Sequence, residues 1–174
     1  MKCLAILLVC VLCAVDGWAQ LCAPQPGAEN LAGYGIVTQS SGYGIGGAIR
    51  AIDGNYDTNY HNHPCTHTDK DYEPWWKLDL RRRAILDLIV ITNRQDCCAE
   101  RLRGAQVKVG DSPDGNNPVC GTITDVSQAR LAIPCEGVEG RYITVTIPGR
   151  AEYLTLCEVE VYGHFTETEN ELTC

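Results

Sequence analysis

Strict alternation of apolar and polar positions recurs along the chain. Trp75-Trp76-Lys77-Leu78-Asp79-Leu80, Ala105-Gln106-Val107-Lys108-Val109, Arg141-Tyr142-Ile143-Thr144-Val145-Thr146-Ile147 and Cys157-Glu158-Val159-Glu160-Val161-Tyr162 all carry a period of two, so each should hide one face. Ala84 to Thr92 is a β-branched run that suits a buried strand. Turn signals stand at Asp114-Gly115-Asn116-Asn117-Pro118, Glu136-Gly137 and Pro148-Gly149. The stretch from Ala28 to Gly54 is small and Gly-rich, and its end, Ala48 to Ile52, predicts one helical turn before a tight loop at Asp53-Gly54. No long amphipathic segment and no internal repeat are present. The pattern therefore predicts an all-β fold, an antiparallel sandwich or jelly roll whose functional residues lie on loops at one end. The polar, acidic residues from His164 to Cys174 are expected outside the core.

Composition agrees with a loop-rich, crosslinked module. Of 174 residues, 45% are apolar, 17 are Gly and 11 are Cys, whereas Met and Phe occur once each. A net charge of −8 argues against binding to phosphate backbones, so no nucleic-acid partner is expected. Lys2 precedes an apolar run from Cys3 to Val15, and Gly17-Trp18-Ala19 places small residues before Gln20 as a cleavage site would require, so residues 1–19 read as a signal peptide. The run is too short to cross the roughly 30 Å of a bilayer, which predicts secretion and no membrane insertion. Residues 20–27 are an N-terminal segment, 28–163 the domain and 164–174 a tail. After cleavage the cysteines are Cys22, Cys65, Cys97, Cys98, Cys120, Cys135, Cys157 and Cys174, an even set in an oxidising compartment and therefore a disulfide framework of unassigned pairing.

The chain carries no G-x-S-x-G, H-E-x-x-H or phosphate-binding Gly-rich loop, so the common hydrolase and nucleotide chemistries lack support and no enzyme is predicted. Two polar constellations stand out. If extended, Tyr60-His61-Asn62-His63-Pro64-Cys65-Thr66-His67 puts His61, His63, Cys65 and His67 on one side, a spacing that could hold zinc or copper; a secreted transition-metal protein is the alternative reading. Against it, a secreted Cys65 is expected in a disulfide and so is no thiolate ligand. The second constellation, Asn93-Arg94-Gln95-Asp96-Cys97-Cys98-Ala99-Glu100-Arg101, follows the strongest strand directly. Asp96 between two arginines could fix their guanidinium groups while the remaining N–H groups face outward. Alone, that reads as a surface ion pair worth about 0 to 1 kcal/mol. The adjacent Cys97-Cys98 weighs the other way. The two either reach separate distant partners or close a small strained ring of the kind met at functional sites. A closed ring would give a rigid apolar plate beside fixed donors, which suits a sugar: C–H faces pack on the plate and hydroxyls bond to Arg and His.

With these residues in hand, the sequence resembles a known family. His67, 26 further residues, Arg94-Gln95-Asp96, four more and Arg101 match the H-x26-R-x-D-x4-R/K signature of the F-type lectins, the fucose-binding family of eel agglutinin. Ala51-Ile52-Asp53-Gly54-Asn55, Cys65-Thr66-His67, Trp75-Trp76, Thr92-Asn93-Arg94, Asp96-Cys97-Cys98, Gly140-Arg141-Tyr142 and Leu156-Cys157-Glu158 extend the match over residues 28–163.

The resemblance implies a jelly-roll β-sandwich of the discoidin-like kind and a secreted lectin for terminal α-L-fucose. It implies His67, Arg94 and Arg101 as ligands of the sugar hydroxyls, Asp96 as their orienting carboxylate, Cys97-Cys98 as a vicinal disulfide against the ring and Tyr60 beside the 6-methyl group. It also implies structural calcium, held by Asp53 and Glu158 with backbone at Arg50, Asn55, Pro64 and Cys157. Arg50 and Pro64 stand where small polar residues are common in the family. The implied disulfides are Cys65 to Cys157 and Cys120 to Cys135, with Cys22 and Cys174 left to clasp the termini or to link chains. Tyr43, His61 and Glu73 are candidates for contacts beyond the fucose. The implied partners are fucosylated glycans and glycoproteins, and a homo-oligomer is expected because a single small sugar site binds weakly.

Overall fold

The structure is a computed structural model that describes residues 23–166. The expected signal peptide, Cys22, most of the acidic tail and Cys174 lie outside the described residues. Eight strands run in the order β1 (Ile36–Gln39), β2 (Asp71–Tyr72), β3 (Trp75–Thr92), β4 (Gln106–Gly110), β5 (Val119–Thr122), β6 (Arg130–Thr146), β7 (Ala151–Glu152) and β8 (Glu158–Phe165). Short 3-10 turns cover Leu31–Tyr34, Ala48–Ile52, Tyr60–Asn62 and Ala99–Leu102.

Strands β3 and β6 form the spine. They pair antiparallel over nearly their whole lengths, and on the far edge of β3 its first half pairs with β1 and its second half with β8. β4 joins the second half of β6, and β5 joins β4. The bend between the halves sits where the β3–β6 register jumps from Asp79↔Tyr142 to Ala84↔Gly140. Residues 80–83 bulge there, with Arg81 at φ 65° and its amide bonded to Asp79 Oδ1 at 2.7 Å. Gly140 is required at this corner, because a Cβ would come within 2.6 Å of Gly110 N on β4.

Both halves point apolar residues into one core. Trp76, Leu78 and Leu80 from the first half of β3 meet Ile89 and Ile91 from the second, with Val107, Val109, Ile143, Val145, Val159 and Val161. The all-β sandwich predicted from alternation is thus present, and its main strands are shared between the two halves. Three expectations need correction. The segments at 75–80 and 84–92 are one bent strand. Glu136-Gly137 is no turn between strands: both residues have positive φ, 51° and 81°, and form a bulge inside β6. His164 and Phe165 belong to β8, paired with Ile85 and Ala84, because Phe165 still packs against the core.

Two disulfides fasten the frame. Cys120–Cys135 ties β5 to β6 across 15 residues, and Cys65–Cys157 ties the loop before β2 to the start of β8 across 92. In the chain-entropy picture such loops are worth about 3 and 4.7 kcal/mol respectively.

Candidate carbohydrate site

The loops at one end of the sandwich converge on His67. Segment 65–68 is fully buried and laced to residues 154–156: Thr66 N donates to Leu156 O and Leu156 N to Thr66 Oγ1, and Thr68 and Leu154 repeat that exchange. On its other side His67 N donates to Gly46 O at 2.8 Å and Tyr43 N to His67 O at 2.9 Å. Gly46 has to be glycine, since a Cβ would lie 2.5 Å from His67 N. The sequence around His67 therefore builds a rigid seat before any side chain is considered.

The His67 side chain is only 6% exposed. Its Nδ1 lies 2.7 Å from Thr68 O, an atom that can only accept, so Nδ1 carries the proton and Nε2 is left as an acceptor in the neutral ring. Burial holds the imidazole pKa below its ordinary 6.5, and the charges of Arg94 and Arg101 push the same way. Rings surround it: Tyr43 at 5.0 Å, Tyr60 at 5.2 Å and Tyr153 at 5.4 Å between centroids.

Arg94 leaves the end of β3 and is 7% exposed. It meets Asp96 as a bidentate pair, Nε to Oδ1 at 2.9 Å and Nη2 to Oδ2 at 2.6 Å, while its guanidinium lies 4.5 Å from the Tyr60 ring centre. Asp96 also accepts from Tyr60 N at 2.8 Å, and the Arg94 hydrogen bonds chiefly hold its pKa at about 2. Cys97 and Cys98 are bonded to each other, so the separate-partner alternative falls away. Cys98 adopts a left-handed conformation, φ 63°, which turns the chain into the 3-10 turn carrying Arg101. Arg94, Cys98, Arg101 and Tyr153 line one narrow recess. Of the seven residues expected to approach fucose, Arg94, Cys98 and Arg101 line this recess, Cys97 adjoins it through the disulfide, and Asp96, Tyr60 and His67 cluster around Arg94.

The outer candidates divide. Tyr43 is 53% exposed and packs on His67, and His61 Nε2 stands 3.8 Å from Asp96 Oδ2 at the rim. Glu73 instead caps the neighbouring turn, accepting from Gly149 N at 2.8 Å. Sequence reasoning missed Glu152 and Tyr153, which face Arg101 at 3.7 Å and 5.0 Å. No local motif marks them, and their only signal is proximity to Cys157.

Zinc or copper on an extended His61-His63-Cys65-His67 face is overturned. Tyr60–Asn62 is a 3-10 turn, His63 is left-handed at φ 66°, and Cys65 is in a disulfide. Those turns abolish the period of two that the spacing needed, and among the described residues no group of three or more His, Cys, Asp or Glu is placed to hold a metal.

A separate pair of carboxylates, Asp53 and Glu158, lies close together. Glu158 is 1% exposed, and its carboxylate accepts from Gly54 N at 3.2 Å. Burial first, and then the Asp53 charge, raise its pKa to about 7. A buried carboxylate beside a second one fits a hard-cation donor set. The Arg50 side chain donates to the carbonyls of Ile45 and His63, the latter next to Pro64.

Known proteins place this geometry. A family model described as an F5/F8 type C, NedA-like, galactose-binding domain matches residues 50–145. Fucolectin-3 of Anguilla japonica is 42% identical over 143 residues, 76% of this chain and 78% of its own. A pentraxin fusion protein of Xenopus laevis is 45% identical over 148 residues, 82% of this chain, although the match spans only 36% of that longer protein. The crystal structure of an f-lectin (fucolectin) from striped bass, Morone saxatilis, serum superposes with a TM-score of 0.78 at 46% identity, covering 82% of this chain and 50% of that one. With the signature residues gathered around one buried histidine and these likenesses spanning most of the sequence, the chain belongs to the F-type lectin (fucolectin) family.

Proposed function

We propose that this protein is a secreted, non-enzymatic lectin that binds terminal α-L-fucose on glycans and glycoproteins. The observation that carries the reading is the neutral His67, with Nε2 open as an acceptor and the charges of Arg94 and Arg101 beside it. An axial hydroxyl seated there donates to His67 Nε2 and accepts from the two arginines, so each of its hydrogen-bonding roles is met. The Cys97–Cys98 plate packs against the C–H face of the ring, and the Tyr60 ring covers the 6-methyl group. Galactose presents the same axial hydroxyl, but its 6-hydroxyl enters the apolar spot without a partner, at a cost of about 1–3 kcal/mol. Tyr43 and His61 reach sugars beyond the fucose.

Calcium suits the oxygen donors around Glu158. Asp53 and Glu158 would hold it together with the carbonyls of Arg50, Asn55, Pro64 and Cys157, and it would supply positive charge to two neighbouring carboxylates. One site on a small sugar binds in the millimolar to micromolar range, about −4 to −8 kcal/mol, so agglutination rests on several sites in a homo-oligomer. Secretion is supported by the leader-like residues 1–19 and by three disulfides.

Glycan-array binding tests the function, with L-fucose titration as its quantitative arm. Fucosylated glycans should be bound and matched non-fucosylated ones should not; equal signal on both would overturn the reading.

A further inference from the structure

The two arginines that act on His67 are held in matching ways. Arg94 has a carboxylate, Asp96, and a ring, Tyr60, that also packs on His67. Arg101 has Glu152, with Nε 3.7 Å from Oε1, and the Tyr153 ring 5.0 Å away, which likewise packs on His67. We infer that Glu152 and Tyr153 are positioning residues of the sugar site, holding Arg101 as Asp96 and Tyr60 hold Arg94, with Arg150 fixing the turn that carries it. The inference rests on the fucose reading above for its consequence in binding, and on geometry alone for the contact.

The carboxylate of Glu152 is itself aimed. Its Oε1 accepts from Tyr153 N at 2.9 Å, which fixes the side chain against its own backbone. β7 pairs with β2 through Asp71↔Glu152, and Asp71 Oδ2 accepts from the hydroxyls of Ser40 and Ser41, so this two-stranded ribbon is tied to the loop that also holds His67. Arg150 Nη2 donates to Arg101 O and Arg103 O, both at 2.7 Å, and so clamps the backbone of the Ala99–Leu102 turn.

The two arms differ in tightness. Asp96 takes both Nε and Nη2 of Arg94. Arg101 only faces its carboxylate, and among the described residues no hydrogen bond takes its Nη atoms. Arg101 therefore keeps both terminal nitrogens for hydroxyls, while its direction depends on Glu152 and on the Tyr153 face. A long side chain without those supports would sample many rotamers and lose pre-organisation.

The test compares wild type with Glu152→Gln, Tyr153→Leu and, as a remote control, Glu139→Gln, whose partner is Arg83. L-fucose titration calorimetry, the thermal midpoint and the 15N-detected Nε–H signals of the arginines are recorded for each. Expected for Glu152→Gln and Tyr153→Leu is a loss of about tenfold in affinity, an unchanged midpoint and a shifted, faster-exchanging Arg101 Nε–H, with the Arg94 signal and the control unchanged. An Arg101 signal that stays in place, or Arg94 and Arg101 signals that move together with a lowered midpoint, would overturn the inference. Wild type that binds no L-fucose would overturn the fucose reading instead, and the Arg101 signal would still decide whether Glu152 and Tyr153 position it.

Discussion

Asp96 closes on Arg94 with both carboxylate oxygens, at 2.6 and 2.9 Å, and the same carboxylate accepts from Tyr60 N at 2.8 Å. One acidic side chain thus fixes the arginine and the segment that presents the Tyr60 ring. Asp96→Asn keeps the shape and removes the charge. It should cost about 1–3 kcal/mol of stability by denaturant titration, and fucose affinity should fall while the fold is retained. Wild-type affinity in the variant would show that Arg94 needs no holding.

Acid should silence the site through His67. Its pKa lies below the ordinary 6.5, so the ring is neutral at pH 7 and Nε2 accepts. As pH falls through the lowered value, Nε2 gains a proton and turns donor, facing two guanidinium groups and a sugar hydroxyl. Fucose affinity measured from pH 8 to pH 4 should be flat above 6.5 and decline below it. The folded form binds protons less readily than the unfolded form, so His67 also subtracts stability as pH falls below 6.5. Asp96 stays ionised over this range, its pKa being about 2. A flat profile to pH 4 would separate His67 from binding.

The disulfides should divide stability from binding. Cys65–Cys157 closes 92 residues, and replacing both cysteines with Ala should cost up to about 4.7 kcal/mol on the chain-entropy estimate, seen as a lower denaturation midpoint. Cys97–Cys98 closes no long loop, so its double Ala replacement should leave the midpoint nearly unchanged while fucose affinity falls. Titration calorimetry beside denaturation checks the contrast, and a double Ala variant at 97 and 98 that binds normally would remove the plate from the site.

Calcium should act through Glu158. In chelator the raised pKa, about 7 against an ordinary 4.5, means that the folded form holds its proton more tightly than the unfolded one. Stability from this group is then full below pH 4.5 and falls as pH rises through 7. Added calcium should restore the thermal midpoint at pH 8 and have little effect at pH 5. Glu158→Gln should remove the calcium response at both values.

The legible parts of the sequence were those carried by local periodicity or by a family signature. The period of two found much of β3, β4, the second half of β6 and β8, while the family resemblance carried by His67, Arg94, Asp96 and Arg101 named residues that converge in space. The rest depended on partners far along the chain. Glu136-Gly137 has the chemistry of a turn, but pairing with β3 on the facing strand keeps β6 continuous and converts it into a bulge. The His61-His63-Cys65 spacing presumed an extended backbone, which a 3-10 turn and a disulfide replace. Glu152 and Tyr153 sit beyond a Pro-Gly turn and acquire a role only because β7 returns beside Arg101.

Because the His67 seat is stitched to residue 46 in one direction and to residues 154–156 in the other, ligand recognition depends on segments at opposite ends of the domain sequence. A chain halted before residue 154 would carry all four signature residues yet lack one wall of the seat, so the capacity to bind doubles as a certificate that the link between β7 and β8 has closed.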